Sequence, residues 1–238
     1  MPVIRANVRD NRTDLSPFMF HLTRDDRGQP DGATARENFE NILASGEIAA
    51  LRPHCMHADD LPEYARKRFN VSCYSETPLS QIKMLVRKII GRRIKLASYG
   101  LAFKREFLIA QGAKPVHNVI SYGGDMAMRE AYDEILERAI RTKQWNKALG
   151  VLPFLSAMHE RYDFSWEREW RVRGPVKFTM DDVEFVILPE GIAIDLHLKL
   201  KKQGVMVICP TWGYEKTIER IADQHRRLRR RLEAMAEK

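Results

Sequence analysis

Phe18, Phe20 and Leu22 alternate with Met19, His21 and Thr23, which predicts a strand over Pro17 to Thr23 with His21 on the face opposite the phenylalanines. Thr34 and Glu37 form a T-x-x-E capping box ahead of Phe39, Ile42 and Leu43, and Gly46 follows, so a short helix is expected between them. The same reading gives a weaker helix over Asp59 to Phe69, a strand over Asn70 to Ser75, and a helix that starts at Thr77-Pro78 and stops at Gly91. Strands are expected over Leu96 to Phe103, Pro115 to Tyr122, Trp166 to Arg173, Val183 to Leu188 and Val205 to Cys209. Helices are expected over Lys104 to Gln111, Met126 to Asn146, Leu152 to Glu160 and Asp195 to Lys202.

From Glu215 the pattern changes. Ile218, Ile221, His225, Leu228, Leu232 and Met235 recur at alternating intervals of three and four, a heptad stripe on one face of a terminal helix. That divides the chain into a single α+β domain over 1–214 and a basic helix over 215–238, docked on the domain or on a partner. Strands and helices mix without a regular βαβ rhythm, so a mainly antiparallel sheet core surrounded by helices is expected rather than a doubly wound sheet.

Composition bounds the function. Of the 238 residues, 44% are hydrophobic, enough for a core, and the formal charge is +8. The charge is concentrated. Lys83 to Lys95 holds six bases, among them Arg87, Lys88, Arg92 and Arg93, and no acid. Thr217 to Lys238 holds seven bases, among them Arg227 and Arg230, against four acids. The rest of the chain carries −1, so two local segments create the whole imbalance and are the expected contacts for a nucleic acid or an anionic protein surface. Basic runs of this kind also serve simply as solvated faces.

Other classes are disfavoured. There is no apolar stretch of membrane-spanning length, and Met1 to Asp14 lacks the apolar region of a secretory signal, so a cytoplasmic protein without a membrane partner is expected. Cys55, Cys73 and Cys209 are widely spaced and contain no C-x-x-C pair, which fits reduced thiols rather than a zinc ribbon or a disulfide framework. His54-Cys55-Met56-His57 has no second cluster at ligand spacing and reads as a loop; no metal is expected. Dinucleotide-binding, P-loop, nucleophile-elbow and zincin motifs do not occur.

The run from Ser165 to Val172 is the most informative for chemistry. On a strand, Trp166, Arg168, Trp170 and Val172 take one face and Glu167, Glu169 and Arg171 the other. Two carboxylates about 7 Å apart on one face can grip a polyol such as a ribose and orient a nucleophile, or they can be neutralised by Arg168 and Arg171 as an ordinary solvated face. His21, with Thr23 beside it, is a candidate for ligand hydroxyls, and Tyr74 and Ser75 stand ahead of a helix start that can hold an anion.

Phe20-His21-Leu22-Thr23, Ile42-Leu43-x-Ser45-Gly46, Cys73 to Leu79, Tyr99 to Phe103 and Trp166 to Arg171 together resemble the AbiGi-type abortive-infection family of bacteria, over about residues 18 to 190. The resemblance implies phage defence, with a toxin, an antitoxin or another defence-system component as partner. A looser likeness is to the ADP-ribosyltransferase fold. It implies NAD as a substrate, held by His21 with Thr23, Ser75 and Tyr74 nearby, with Glu169 as the catalytic carboxylate and Glu167 selecting the acceptor, or, in the other register of the pair, Glu167 in the catalytic place. The middle motif departs from the usual Ser-Thr-Ser, reading Tyr-Ser-Glu-Thr. Three readings stay open: ADP-ribosyl transfer to a nucleic acid or protein, a non-enzymatic binding module that neutralises a toxin or senses phage nucleic acid, and a metal-dependent nuclease drawing on Glu76, Glu167, Glu169 and the lysines; the terminal helix can also join copies of the chain into a homo-oligomer.

Overall fold

The computed structural model describes residues 15–26, 32–53, 59–87, 95–120, 122–123, 126–158, 160, 163 and 165–236. The central feature is a seven-stranded sheet in the order β11-β10-β4-β1-β3-β8-β5. Its strands are β1 (Phe18–Arg24), β3 (Val71–Ser75), β4 (Leu96–Lys104), β5 (Lys114–Pro115), β8 (Glu169–Arg173), β10 (Val183–Ile187) and β11 (Val207–Ile208). Every pairing in it is antiparallel except β10 with β11. Two small sheets accompany it: β2 (Glu47–Ile48) pairs with β9 (Val176–Lys177), and β6 (His117–Ile120) runs parallel to β7 (Leu155–Met158). The fold is therefore mixed α+β with a mainly antiparallel sheet.

Among the described residues there are eight α-helices: α1 (Ala35–Ser45), α2 (Glu63–Arg66), α3 (Ile82–Val86), α4 (Arg105–Ala110), α5 (Ala127–Thr142), α6 (Asn146–Val151), α7 (Ile194–Lys202) and α8 (Tyr214–Ala236). The capping box forms at α1 as its sequence dictates: the Thr34 side chain accepts from the Glu37 N–H, the Glu37 carboxylate accepts from the Thr34 N–H, and Gly46 ends the helix at φ 62°.

The register fixes which side chains share a face. Phe20 lies opposite Ser75, Ser75 opposite Glu169, and Cys73 opposite Arg171, so these five belong to one face of the sheet. Met19 lies opposite Phe103, His21 opposite Leu101, and Tyr74 opposite Trp170, so these six belong to the other. On the His21 face, Met19, Tyr74, Phe103 and Trp170 pack with Phe39 of α1 and Leu196 of α7. On the opposite face, Phe20, Leu22 and Phe185 pack with Ile82 and Leu85 of α3. A separate cluster, with Phe69, Trp145, Leu149, Leu152 and Leu155, joins α2, α5 and α6 to β7.

Local propensity yields to tertiary pairing in several places. The helix expected over Leu152 to Glu160 is one 3₁₀ turn at Leu152–Phe154 followed by β7, because Leu155 to Met158 pair with His117 to Ile120. The helix expected over Asp59 to Phe69 contracts to α2 and a 3₁₀ turn at Lys67–Phe69, starting after Pro62. Thr77 does not cap a helix: its hydroxyl donates to the Glu167 carbonyl at 3.4 Å, and a 3₁₀ turn at Leu79–Gln81 leads into α3. The expected end of α3 near Gly91 lies outside the described residues.

Candidate functional site

Strand β1 meets its two neighbours unequally. Six residue pairs join it to β4, whereas β1 and β3 register only at Phe20 and Ser75. The sheet is thus two half-sheets sharing a single bridge, and His21 sits next to that bridge. Its Nδ1 lies 2.9 Å from the Cys73 carbonyl oxygen. A carbonyl can only accept, so Nδ1 carries the proton, and a side chain supplies to β3 a hydrogen bond that the backbone ladder does not. Gly100 makes room on the other side, since a Cβ there would stand 2.3 Å from the His21 carbonyl oxygen.

Burial lowers the His21 pKa below its ordinary 6.5, opposed in part by the bond to the Cys73 carbonyl. The neutral ring then presents Nε2 as an acceptor, with no partner among the described residues. A ligand hydroxyl bound here donates to His21 rather than accepting from it. The same shift sets a pH dependence. Below pH 6.5 the unfolded chain binds a proton that the folded chain resists, so this group lowers stability progressively as pH falls through that range, until the folded pKa is passed. Thermal melts between about pH 7 and pH 5 are expected to show a steeper loss of Tm for the native protein than for His21→Gln; parallel profiles would contradict a neutral, desolvated His21.

The other residues expected to hold a cofactor are engaged or buried. The Thr23 hydroxyl is 2.7 Å from the Ala35 carbonyl and 3.1 Å from that of Tyr99, tying β1 to the start of α1. The Tyr74 hydroxyl donates to Ser72 Oγ, and burial raises its pKa. Ser75 is buried on the face opposite His21.

The acidic pair is not the continuous strand its spacing suggests. Trp166 and Glu167 lie in a 3₁₀ turn at Ser165–Glu167, Arg168 adopts φ +47°, and β8 begins only at Glu169. This turn is stitched to the end of β3, since the Glu76 N–H donates to the Arg168 carbonyl. Glu169 accepts from Arg171 Nε at 2.9 Å and from its second terminal nitrogen at 3.0 Å. Arg171 is only 2% exposed and donates in addition to the carbonyls of Pro153 and Leu155. A two-toothed arginine clamp of this kind is the strong form of the ion pair. It binds β8 to the neighbouring helical cluster and occupies the Glu169 carboxylate. Cys73 lies close by on the same face; burial first, then the charge of Glu169, holds its thiol well above the usual range, which suppresses the reactive thiolate.

The structure therefore brings Ser75, Cys73, Glu169 and Arg171 together on one face and His21 with Tyr74 on the other. Two cavities of about 410 and 620 Å³ are present, and neither is lined by His21, Tyr74, Ser75, Glu167 or Glu169. Among the described residues no cluster of three or more histidine, cysteine or acidic side chains can hold a metal ion. His54 and His57 lie outside those residues.

Glu76, one of the acids of the nuclease reading, sits in a buried cluster with Arg105 and Trp170. Glu76 is 3% exposed, accepts from Trp170 Nε1 at 2.9 Å and pairs with Arg105, whose guanidinium lies over the Trp170 ring. It locks the end of β3 to α4 and β8. Its only sequence signal is an acid between a strand and a Thr-Pro pair.

The basic segments differ in what holds them. Lys83, Arg87 and Lys95 are exposed, while Lys88, Arg92 and Arg93 fall outside the described residues. The first turns of α8 are anchored by buried Thr217, by the Lys216–Glu190 pair and by Gln224 donating to the Gly204 carbonyl. From His225 onward every described side chain of α8 is exposed, including Arg226, Arg227, Arg229 and Arg230. Among the described side chains, the docking contacts lie in the first half of the helix; Ile218 of the apolar stripe is 48% and Met235 73% exposed. No helix among the described residues is long and apolar enough to cross a membrane. Comparison with family models, curated proteins and solved structures finds no match to this chain.

Proposed function

We propose that this protein is a nucleic-acid-binding component of a bacterial anti-phage defence system, and that the arginine-rich half of α8 carries the binding. The observation behind it is the exposure of that half: Arg227 and Arg230 have no ion-pair partner among the described residues, and Arg226 and Arg229 pair only with Asp223 and Glu233 of the same helix. Exposed pairs of that kind exchange readily for phosphate. Arg226 and Arg230 are four residues apart on one face, about 6 Å along the helix axis, and present flat, multidentate donors that match phosphate oxygens. The defence context rests on the AbiGi-type resemblance. Binding to duplex and single-stranded DNA and RNA across a salt series tests the reading: affinity should fall steeply with salt, and affinity that ignores salt contradicts it. Binding confined to an acidic protein would contradict it equally.

A second reading, ADP-ribosyl transfer from NAD, is favoured by one observation, the acceptor Nε2 of His21 beside the single β1–β3 bridge. Against it stand the placement of Glu169 on the opposite face and its clamp to Arg171. Incubation with labelled NAD and bacterial lysate separates the two readings. Label transfer or NAD hydrolysis that His21→Ala abolishes supports the enzyme, and the absence of both removes it.

A further inference from the structure

The cavity of about 410 Å³ lies where the outer edge of the sheet meets α6, among Gln111, Lys114, Asn146, Leu149, Phe154 and Arg173. Its charge is one-sided. Lys114 and Arg173 both line it, and no carboxylate does. Lys114 lies directly across the β5–β8 pair from Arg171, and Arg173 follows Arg171 by two residues on the same face. Three cations are therefore gathered on one side of the sheet edge, where like charges repel. Glu169 neutralises only Arg171. Arg173 is exposed and has no ion pair among the described residues. The Lys114 ammonium makes a long 3.4 Å contact with the Gly150 carbonyl and sits 5.0 Å from the centre of the Phe154 ring, with no carboxylate partner.

Two unbalanced cations over one cavity make an anion the complementary occupant. The volume sets its size. It falls within the range of small-molecule sites, roughly 300–1,000 Å³, and a lone phosphate would leave most of it empty. The remaining wall carries the amides of Gln111 and Asn146, each able to donate and accept, and the outer edges of the largely buried Leu149 and Phe154, a polar and apolar mix that suits a nucleoside. We propose that this pocket binds a mononucleotide, with Lys114 and Arg173 taking the phosphate and the amide and apolar wall taking the nucleoside. The site is separate from α8 and does not depend on nucleic-acid binding there.

Calorimetric titration of the full-length protein with the four ribonucleoside 5′-monophosphates, the matching nucleosides and inorganic phosphate tests this. At least one monophosphate should bind at least about tenfold more tightly than both its nucleoside and free phosphate, as expected of charge-assisted bonds added to a nucleoside wall. Arg173→Glu and Lys114→Gln should each weaken that monophosphate by about tenfold or more while leaving Tm unchanged, because neither side chain is buried or ion-paired. Replacing the α8 arginines should leave mononucleotide binding intact, which keeps this site distinct from the proposed nucleic-acid surface. The proposal is overturned if no monophosphate binds, if nucleoside or free phosphate binds equally well, or if both pocket variants bind like the native protein.

Discussion

Arg171→Met is expected to destabilise the fold by about 3–5 kcal/mol, a drop in Tm on the order of 10 °C for a domain of this size. Arg171 satisfies four acceptor atoms at once: both oxygens of Glu169 and the carbonyls of Pro153 and Leu155. Methionine fills much of the same volume but leaves those two carbonyls without their donor and the 26%-exposed Glu169 without its counter-charge. The cost should fall on the junction between β8 and the cluster around Leu152 and Leu155, so loss of amide protection there should precede global unfolding. Glu169→Gln should also lower Tm, by less, since a neutral amide still accepts one bond. That sign is informative. A carboxylate held for chemistry commonly costs stability, and its removal then raises Tm. A higher Tm for Glu169→Gln would return Glu169 to a catalytic role.

Much of the scaffold is legible in the sequence because local chemistry and global fold agree there. The α1 capping box, the alternation in β1 that sets His21 against the phenylalanines, and the pairing of Glu169 and Arg171 on one face of β8 all follow from periodicity and cap rules. Where they disagree, non-local pairing decides. Leu152 to Glu160 reads as a helix, yet only a 3₁₀ turn forms at Leu152–Phe154 and a parallel partner draws Leu155 to Met158 into β7. Trp166 to Arg173 has a strand pattern, yet its first half is a turn whose left-handed Arg168 delivers a carbonyl to β3. The site suffers most from this. Motif order lines up His21, Ser75 and Glu169 along the chain, but register assigns faces, and one residue's difference in register moves a side chain through the sheet. Periodicity does offer Arg171 as a partner for Glu169, but the chain alone does not reveal that this arginine is buried and bonded to the Pro153 and Leu155 carbonyls, or that Glu76 is buried between Arg105 and Trp170.

The other large effect is expected at α8. Changing Arg226, Arg227, Arg229 and Arg230 together to glutamine should weaken nucleic-acid binding on the order of a hundredfold or more at low salt, because each lost phosphate contact is a charge-assisted hydrogen bond and a released counter-ion. Stability should barely move. All four side chains are exposed, and the pairs Arg226–Asp223 and Arg229–Glu233 are solvent-screened surface pairs within one helix that add little to the fold. A fall in Tm of more than a few degrees would mean that the second half of α8 supports the fold. Leu228→Ala probes the apolar stripe of the same helix rather than its charge and is expected to leave the salt dependence unchanged.

The most direct test is the slope of log K against log salt concentration for the native protein and the four-arginine variant on the same duplex and single-stranded oligonucleotides. Four phosphate contacts predict a native slope of about −3 to −4, flattening towards zero in the variant as affinity is lost. A native slope near zero, or a variant that keeps both the slope and the affinity, would contradict a phosphate-binding role for α8.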